Sequence, residues 1–338
     1  MKMKSAALVG VSIAALATPA MIAAQTAPAL KAAPVADLIK RVNIPYEQFT
    51  LPNGLRVIVH TDRKAPVVAV SVWYNIGSKF EPKGKTGFAH LFEHLMFNGS
   101  ENAPGDFFEP LKQVGATDLN GTTSFDRTNY FETVPTPALE KTLFIESDRM
   151  GYLLGAVTQS VLDEQRGVVQ NEKRQGDTRP YGLLQYEIFG GLFPSSHPYG
   201  HTPIGSLKDL DAASLDDVKS WFRNNYGPNN AVLVLAGDID VATAKTLTTK
   251  YFGPIARGPA VTLPTVSIPT LSAPKSVVLK DRVAATLITR MWAVPGLNDK
   301  DAAGLTAAAS VLGGLSSSRL NNVLVRQEKL AVQASSSV

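Results

Sequence analysis

Thr86-Gly87-Phe88-Ala89-His90-Leu91-Phe92-Glu93-His94-Leu95-Met96-Phe97-Asn98 departs from the alternating pattern of the residues before it. Phe88, Leu91, Phe92, Leu95 and Met96 recur at helical spacing, so the segment is expected to be a helix with one apolar face. Thr86 is the expected N-cap and Asn98-Gly99 the expected stop. Residues four apart on a helix stack on one face, so His90 and His94 can present two imidazoles to one ion. Glu93, three along from His90, also faces that point. Zinc suits neutral imidazole with carboxylate and needs no redox chemistry. A catalytic zinc usually takes three protein ligands and leaves one position open, so two histidines are one ligand short. The chain has no cysteine, which makes a carboxylate the natural third ligand. The best candidate is Glu172, which lies 78 residues after His94 in an expected helix with an apolar stripe at Val161, Val168 and Val169. On spacing alone, a chance HxxEH and an ordinary surface role for Glu172 both stay open.

Outward from that helix, the chain reads as strands followed by helices. Phe49 to Val59 is an expected strand pair about the Asn53-Gly54 turn, and Val67 to Tyr74 is β-branched and aromatic enough for a further strand. Asp106 to Val114 is an expected helix and Thr117 to Val134 an expected hairpin. Thr136 to Leu154, Ser160 to Gln175, Leu215 to Asn225 and Val241 to Tyr251 read as helices, with a strand at Ala231 to Ile239. Five prolines then fall within residues 253–274, the composition of a linker. Beyond it Val277 to Ala293 is strand-like and Asp301 to Leu312 helix-like. The expected division is a complete module at 44–252 and the start of a second at 275–338. That second module is read as incomplete, because Leu330 to Ser335 looks like a strand only beginning and a half-built sheet is poorly stable.

Composition sets bounds on partners. The 338 residues are 44% hydrophobic and 18% charged, an ordinary globular balance. A basic start at Lys2 and Lys4, an apolar run from Ala6 to Ala17 and small residues from Ala20 to Ala24 have the layout of a secretory signal peptide, expected at 1–24. The run is short for a bilayer span, and no later segment is long and apolar enough, so no stable membrane span is expected. Residues 25–43 read as an Ala/Pro-rich flexible lead-in. Without Lys2 and Lys4 the formal net charge falls from +4 to +2, which leaves no electrostatic footprint for nucleic acid. The absence of cysteine excludes disulfides, thiolate ligands and a cysteine nucleophile.

Gly87 to Phe97, with its inverted HxxEH, resembles the signature of the pitrilysin/insulinase family of zinc metallopeptidases, peptidase family M16. Other stretches agree in order: Leu51-Pro52-Asn53-Gly54-Leu55, Asn120 to Tyr130, Arg166 to Glu172, and His197-Pro198-Tyr199-Gly200-His201 with Ile204-Gly205. The likeness spans nearly all of 46–338 and is of the bacterial exported, N-terminal catalytic type. It implies an α+β fold of the LuxS/MPP-like kind, a mixed, largely antiparallel sheet packed with helices. It also implies one Zn2+ per catalytic domain, held by His90, His94 and Glu172, with Glu93 as the general base that activates water. An edge strand at Asn120, Gly121, Thr122 and Thr123 would hold an extended peptide by strand addition. Some members carry a supporting glutamate seven residues before the distal ligand; here that position is Gln165, beside Asp163 and Glu164, which puts an auxiliary acid in doubt. The implied activity is endopeptidase cleavage of peptides or small unfolded proteins, outside the cytoplasm of a Gram-negative-type bacterium, in the periplasm or secreted. In this family two similar halves close around substrate, the second fused downstream or supplied as a partner. A non-catalytic partner subunit of a larger peptidase assembly is the other reading the family allows, though such members have lost the metal site. His197 and His201 are four apart, but Pro198 and Gly200 argue against a shared helical face, so a structural loop role is expected. His60 ends a strand with no visible partner.

Overall fold

Asn53-Gly54 makes the tight turn its composition calls for: Gly54 sits at φ +94°, a conformation that disfavours any side chain. The turn joins β1 (Glu47–Thr50) to β2 (Arg56–Thr61), which pair antiparallel with Phe49 opposite Val57. Asn53 is buried and anchors the turn to a distant part of the chain. Its amide donates to the Phe252 and Ile255 carbonyls at 2.7 and 3.0 Å, so the start and end of the module are tied together. The computed structural model describes residues 43–338, of which Pro45–Val338 forms one unit. The expected signal peptide at 1–24 and nearly all of the lead-in at 25–43 lie outside the described residues.

Four more strands complete the sheet: β3 (Val67–Tyr74), β4 (Thr117–Thr123), β5 (Thr128–Pro135) and β6 (Ala231–Gly237). Their order is β1-β2-β6-β3-β5-β4. Only β2 and β6 run parallel; every other pair is antiparallel. Side chains alternate across a strand, and in β3 that alternation separates buried Val68, Val70, Val72 and Tyr74 from the partly or fully exposed Ala69, Ser71 and Trp73. The sheet therefore buries one face. Each apolar side chain fully buried there contributes roughly 1.5–3 kcal/mol.

The helices are α1 (Phe88–Leu95), the single turn α2 (Glu109–Lys112), α3 (Leu139–Tyr152), α4 (Gln159–Thr178), α5 (Leu184–Leu192), α6 (Leu207–Asp211), α7 (Leu215–Asn225) and α8 (Val241–Phe252). Side chains of α1, α3, α7 and α8 share one core with the inner face of the sheet. Four of these eight helices, α4, α6, α7 and α8, start on a side-chain cap. Thr158 accepts from the Val161 amide, Asp240 from Thr243, and Ser214 with Asp217 forms a capping box. This is an α+β fold with a mixed, largely antiparallel sheet, as the sequence led us to expect.

One charged cluster lies inside it. Arg149 on α3 is 1% exposed and bonded to Glu146 one turn away. Its guanidinium lies between the Phe107 and Tyr130 rings, 3.8 and 4.1 Å from their centroids. Glu132 of β5 is buried in the same place, and burial, then the neighbouring Glu146, holds its carboxyl well above the usual carboxylate range.

Several expectations are corrected. Thr86 does not cap α1: Gly87 holds the N-cap position at φ +96°, and the Thr86 hydroxyl donates to Asp209 at 2.6 Å. The helix expected over 106–114 shrinks to one turn at α2. Val277 to Ala293 forms no strand, and Val278, Ile288 and Trp292 are 84, 81 and 72% exposed. A strand needs a neighbour to satisfy its backbone groups, and the sheet is made entirely of strands that end by Gly237. For the same reason Leu330 to Ser335 stays irregular. The helix expected over 301–312 does form, as α9 (Ala302–Ala309) followed by a π-turn at Ser310–Gly314. Among the described residues no helix is long and apolar enough to cross a membrane.

Candidate metal centre

α1 buries Phe88, Ala89, Leu91, Phe92 and Leu95 in the core. That leaves the opposite face for His90, Glu93 and His94. The two imidazoles stand edge to face with centroids 4.9 Å apart. α4 packs across α1 and supplies Glu172. Its Oε2 lies 3.7 Å from His90 Nε2 and 3.4 Å from His94 Nε2. One potential ligand atom from each of the three residues lies within 4.8 Å of the others. Tetrahedral zinc with bonds of about 2.0–2.1 Å separates neighbouring ligand atoms by roughly 3.3 Å. The His–Glu distances are close to that edge length, and two neutral nitrogens with one carboxylate oxygen is a zinc donor set. The residues present therefore fit the ion.

Protonation agrees with this. Burial, then the neighbouring His94, lowers His90 to about 4, so its imidazole is neutral and free to ligate at neutral pH. Glu93 is not one of the three clustered groups. Burial raises its carboxyl, the Thr123 hydroxyl opposing the shift, and its Oε2 has no hydrogen-bond partner among the described residues. A cation at the cluster would oppose the rise as well. The arrangement thus separates three convergent groups that could hold an ion from one adjacent, unpaired carboxylate oxygen.

The supports of α4 explain how a residue 78 positions away returns to α1. Arg166 donates to the Leu210 and Ala213 carbonyls at 2.9 and 2.6 Å, and buried Gln170 donates to Asp211 at 2.5 Å. Gln165 donates to Asn98 Oδ1 at 3.3 Å, and Asn98 in turn donates to the His94 carbonyl at 3.0 Å. Gln165 thus joins α4 to the end of α1 as a neutral bridge.

Asn120, Gly121, Thr122 and Thr123 lie on β4, which pairs with β5 on one side and forms the sheet edge on the other. The strand passes over the end of α1, where a Cβ on Gly121 would meet the Phe97 ring at 2.7 Å. Arg127 braces it, donating to Thr122 O at 3.0 Å and Asn129 Oδ1 at 2.6 Å, with its guanidinium 5.2 Å over Trp73. The remaining histidines lie elsewhere. His60 bonds Pro45 O at 2.6 Å and His197 bonds Ser267 O at 2.8 Å. His201 Nε2 faces Ser78 O and Glu81 Oε2 at 3.2 and 2.9 Å. Sequence reasoning missed Glu81. It lies nine residues before His90, where no motif spacing points to it, and its partner His201 is 120 positions away.

Comparison with known proteins gives the arrangement its relatives. Residues 56–187 match the family model described as Insulinase (Peptidase family M16), and residues 212–338 match that of the Peptidase M16 inactive domain. The zinc protease PqqE of Helicobacter pylori is 33% identical over 294 residues, covering 86% of this chain and 66% of that protein. The crystal structure of a protease from Helicobacter pylori superposes with a TM-score of 0.75 at 32% identity, over 87% of this chain and 71% of that one. The first half of the periplasmic protease PqqL from Escherichia coli shares the fold, with a TM-score of 0.60 at 24% identity over 66% of this chain and 49% of that one. The chain thus spans about two thirds of the length of its Helicobacter pylori relative. With both family models matched in order and a third of residues shared with the Helicobacter pylori protease, the chain belongs to peptidase family M16.

Proposed function

We propose that this chain is the catalytic half of a zinc-dependent metalloendopeptidase. The observation that carries the reading is the convergence of His90, His94 and Glu172 within 4.8 Å, with Glu93 beside them and outside the ligand set. Zinc, when bound, supplies Lewis acidity that polarises a peptide carbonyl and makes water nucleophilic near neutral pH. The chain's own residues do the rest. His90, His94 and Glu172 hold the ion. Glu93 takes the proton of the attacking water at its unpaired Oε2 and passes it to the departing amine. The open edge of β4, from Asn120 to Thr123, holds an extended peptide by main-chain pairing, which tolerates varied substrate sequences.

On this reading residues 44–252 are the catalytic domain, 253–274 the linker and 275–338 the beginning of a second M16-like half. The exposed apolar side chains of 277–297 are consistent with a segment that pairs with more of that half, fused or separate. The substrates are peptides or small unfolded proteins. The N-terminal signal pattern supports a location in the periplasm or outside the cell, and the Escherichia coli neighbour is a periplasmic protease. The alternative, a non-catalytic subunit, leaves an intact ligand set and an adjacent base without a role. Metal analysis combined with a quenched-fluorescence peptide assay, with and without chelator, tests the proposal. Stoichiometric zinc and chelator-sensitive cleavage are expected; cleavage that ignores chelation overturns it.

A further inference from the structure

The helix that carries both histidines begins without a cap of its own. Its N-cap is Gly87, which has no side chain to accept the first amides. Glu81 fills that place from outside. Its side chain is 0% exposed, and its Oε1 accepts from the Ala89 amide at 2.8 Å while Oε2 accepts from the Gly87 amide at 3.0 Å. A carboxylate there also matches the positive end of the helix dipole.

The same carboxylate reaches a second segment. His201 Nε2 lies 2.9 Å from Glu81 Oε2 and 3.2 Å from the Ser78 carbonyl. The carbonyl can only accept, so Nε2 carries the proton and donates. His201 belongs to a loop that touches α1's start backbone to backbone. Gly205 is at φ +71°, and a Cβ there would lie 2.3 Å from the Thr86 carbonyl and the Gly87 nitrogen. Ser206 N donates to Thr86 Oγ1 at 3.1 Å, and Thr86 donates to Asp209 at the head of α6. The carbonyls and carboxylate that hold α4 come from Leu210, Asp211 and Ala213, immediately downstream. One short segment, 201–213, therefore grips the start of the histidine helix at one end and the glutamate helix at the other.

We propose that Glu81 is a positioning residue for the metal centre: it caps α1 and, through His201, locks α1 to the segment that also holds α4, setting His90 and His94 in register with Glu172. This rests on the reading of those three residues as zinc ligands. Glu81 touches neither ion nor substrate, so its effect appears in metal affinity before anything else. Residues supporting a metal site typically change affinity about 10–100-fold when removed.

The test is zinc affinity of the full chain by competition with a chromogenic chelator, alongside the unfolding midpoint of the metal-free protein. It uses wild type, Glu81→Ala, Glu81→Gln and His201→Ala. Glu81→Ala is expected to weaken zinc binding about tenfold. Glu81→Gln recovers part of the loss because its carbonyl still accepts one amide, and His201→Ala shows a smaller loss in the same direction. Should Glu81→Ala fail to fold, Glu81→Gln and His201→Ala decide by the same criterion. Folded variants with lowered unfolding midpoints but wild-type zinc affinity overturn the proposal, because capping would then serve stability alone. Wild-type protein that fails to bind zinc overturns the ligand reading itself and the positioning role with it.

Discussion

Glu93→Gln exchanges one carboxylate oxygen for an amide nitrogen and leaves His90, His94 and Glu172 untouched. Loss of a general base costs about 10²–10⁴ in rate, or about 2.7–5.4 kcal/mol at 1.36 kcal/mol per decade. The structure favours the upper half of that range. Glu93 Oε2 is buried without a partner among the described residues, so it is free to take a proton. On the proposed reading the neighbouring His90, His94 and Glu172 are engaged as ligands and offer no substitute. An isosteric amide also leaves the packing of α1 unchanged. The expected result is a fall in kcat of about 10³–10⁴ with unchanged zinc content and little change in KM. The assay is cleavage of a quenched-fluorescence peptide by zinc-loaded protein, with zinc content measured on the same samples. Wild-type turnover in zinc-loaded Glu93→Gln refutes the assignment of the base. Loss of zinc together with loss of turnover refutes the separation of base from ligands.

Three further outcomes follow from other parts of the molecule. Glu172→Ala removes the carboxylate whose oxygen lies 3.4 Å from His94 Nε2; because that side chain is 45% exposed, the protein is expected to fold as wild type yet lose stoichiometric zinc, read by metal analysis and circular dichroism. Glu132→Gln bears on pH dependence. The folded-state carboxyl lies well above its ordinary value, so the folded protein binds the extra proton; its contribution is fully present below about pH 4.3 and declines as pH rises. Glutamine cannot ionise, so the variant should match wild type near pH 4 and gain thermal stability over it between about pH 6 and 8; a gap that shrinks as pH rises contradicts the buried, protonated state. Gly205→Ala places a methyl 2.3 Å from the backbone of Thr86 and Gly87 and should cost about 1–3 kcal/mol in urea unfolding, the usual range for forced overpacking.

Local patterns were legible where one segment supplies its own evidence. β3 and α7 fall on the residues expected, because alternation over Val67 to Tyr74 and a capped amphipathic run from Leu215 to Asn225 are each self-contained. α1 was legible as a helix, and the direction of its histidines came with it. α5 was missed: Gly190 and Gly191 lower helix propensity, and none of its residues is fully buried to leave a periodic stripe. Val277 to Ala293 shows the opposite error, since β-branched alternation reports fitness for a sheet and not the presence of a neighbour. The link between Glu81 and His201 spans 120 positions, and neither residue carries a local sign of the other. His90 and His94 could be named as candidate ligands from their helix alone; Glu172 was a candidate from its helical segment and the lack of cysteine, and the family resemblance singled it out.

Diffraction recorded at the zinc absorption edge, from crystals grown with one equivalent of zinc, tests the central claim most directly. The account requires one anomalous peak about 2.0–2.2 Å from His90 Nε2, His94 Nε2 and a Glu172 carboxylate oxygen, with Glu93 outside the coordination sphere. A peak held by other residues, one with Glu93 in place of Glu172, or zinc-equilibrated crystals with no peak at this cluster would contradict it.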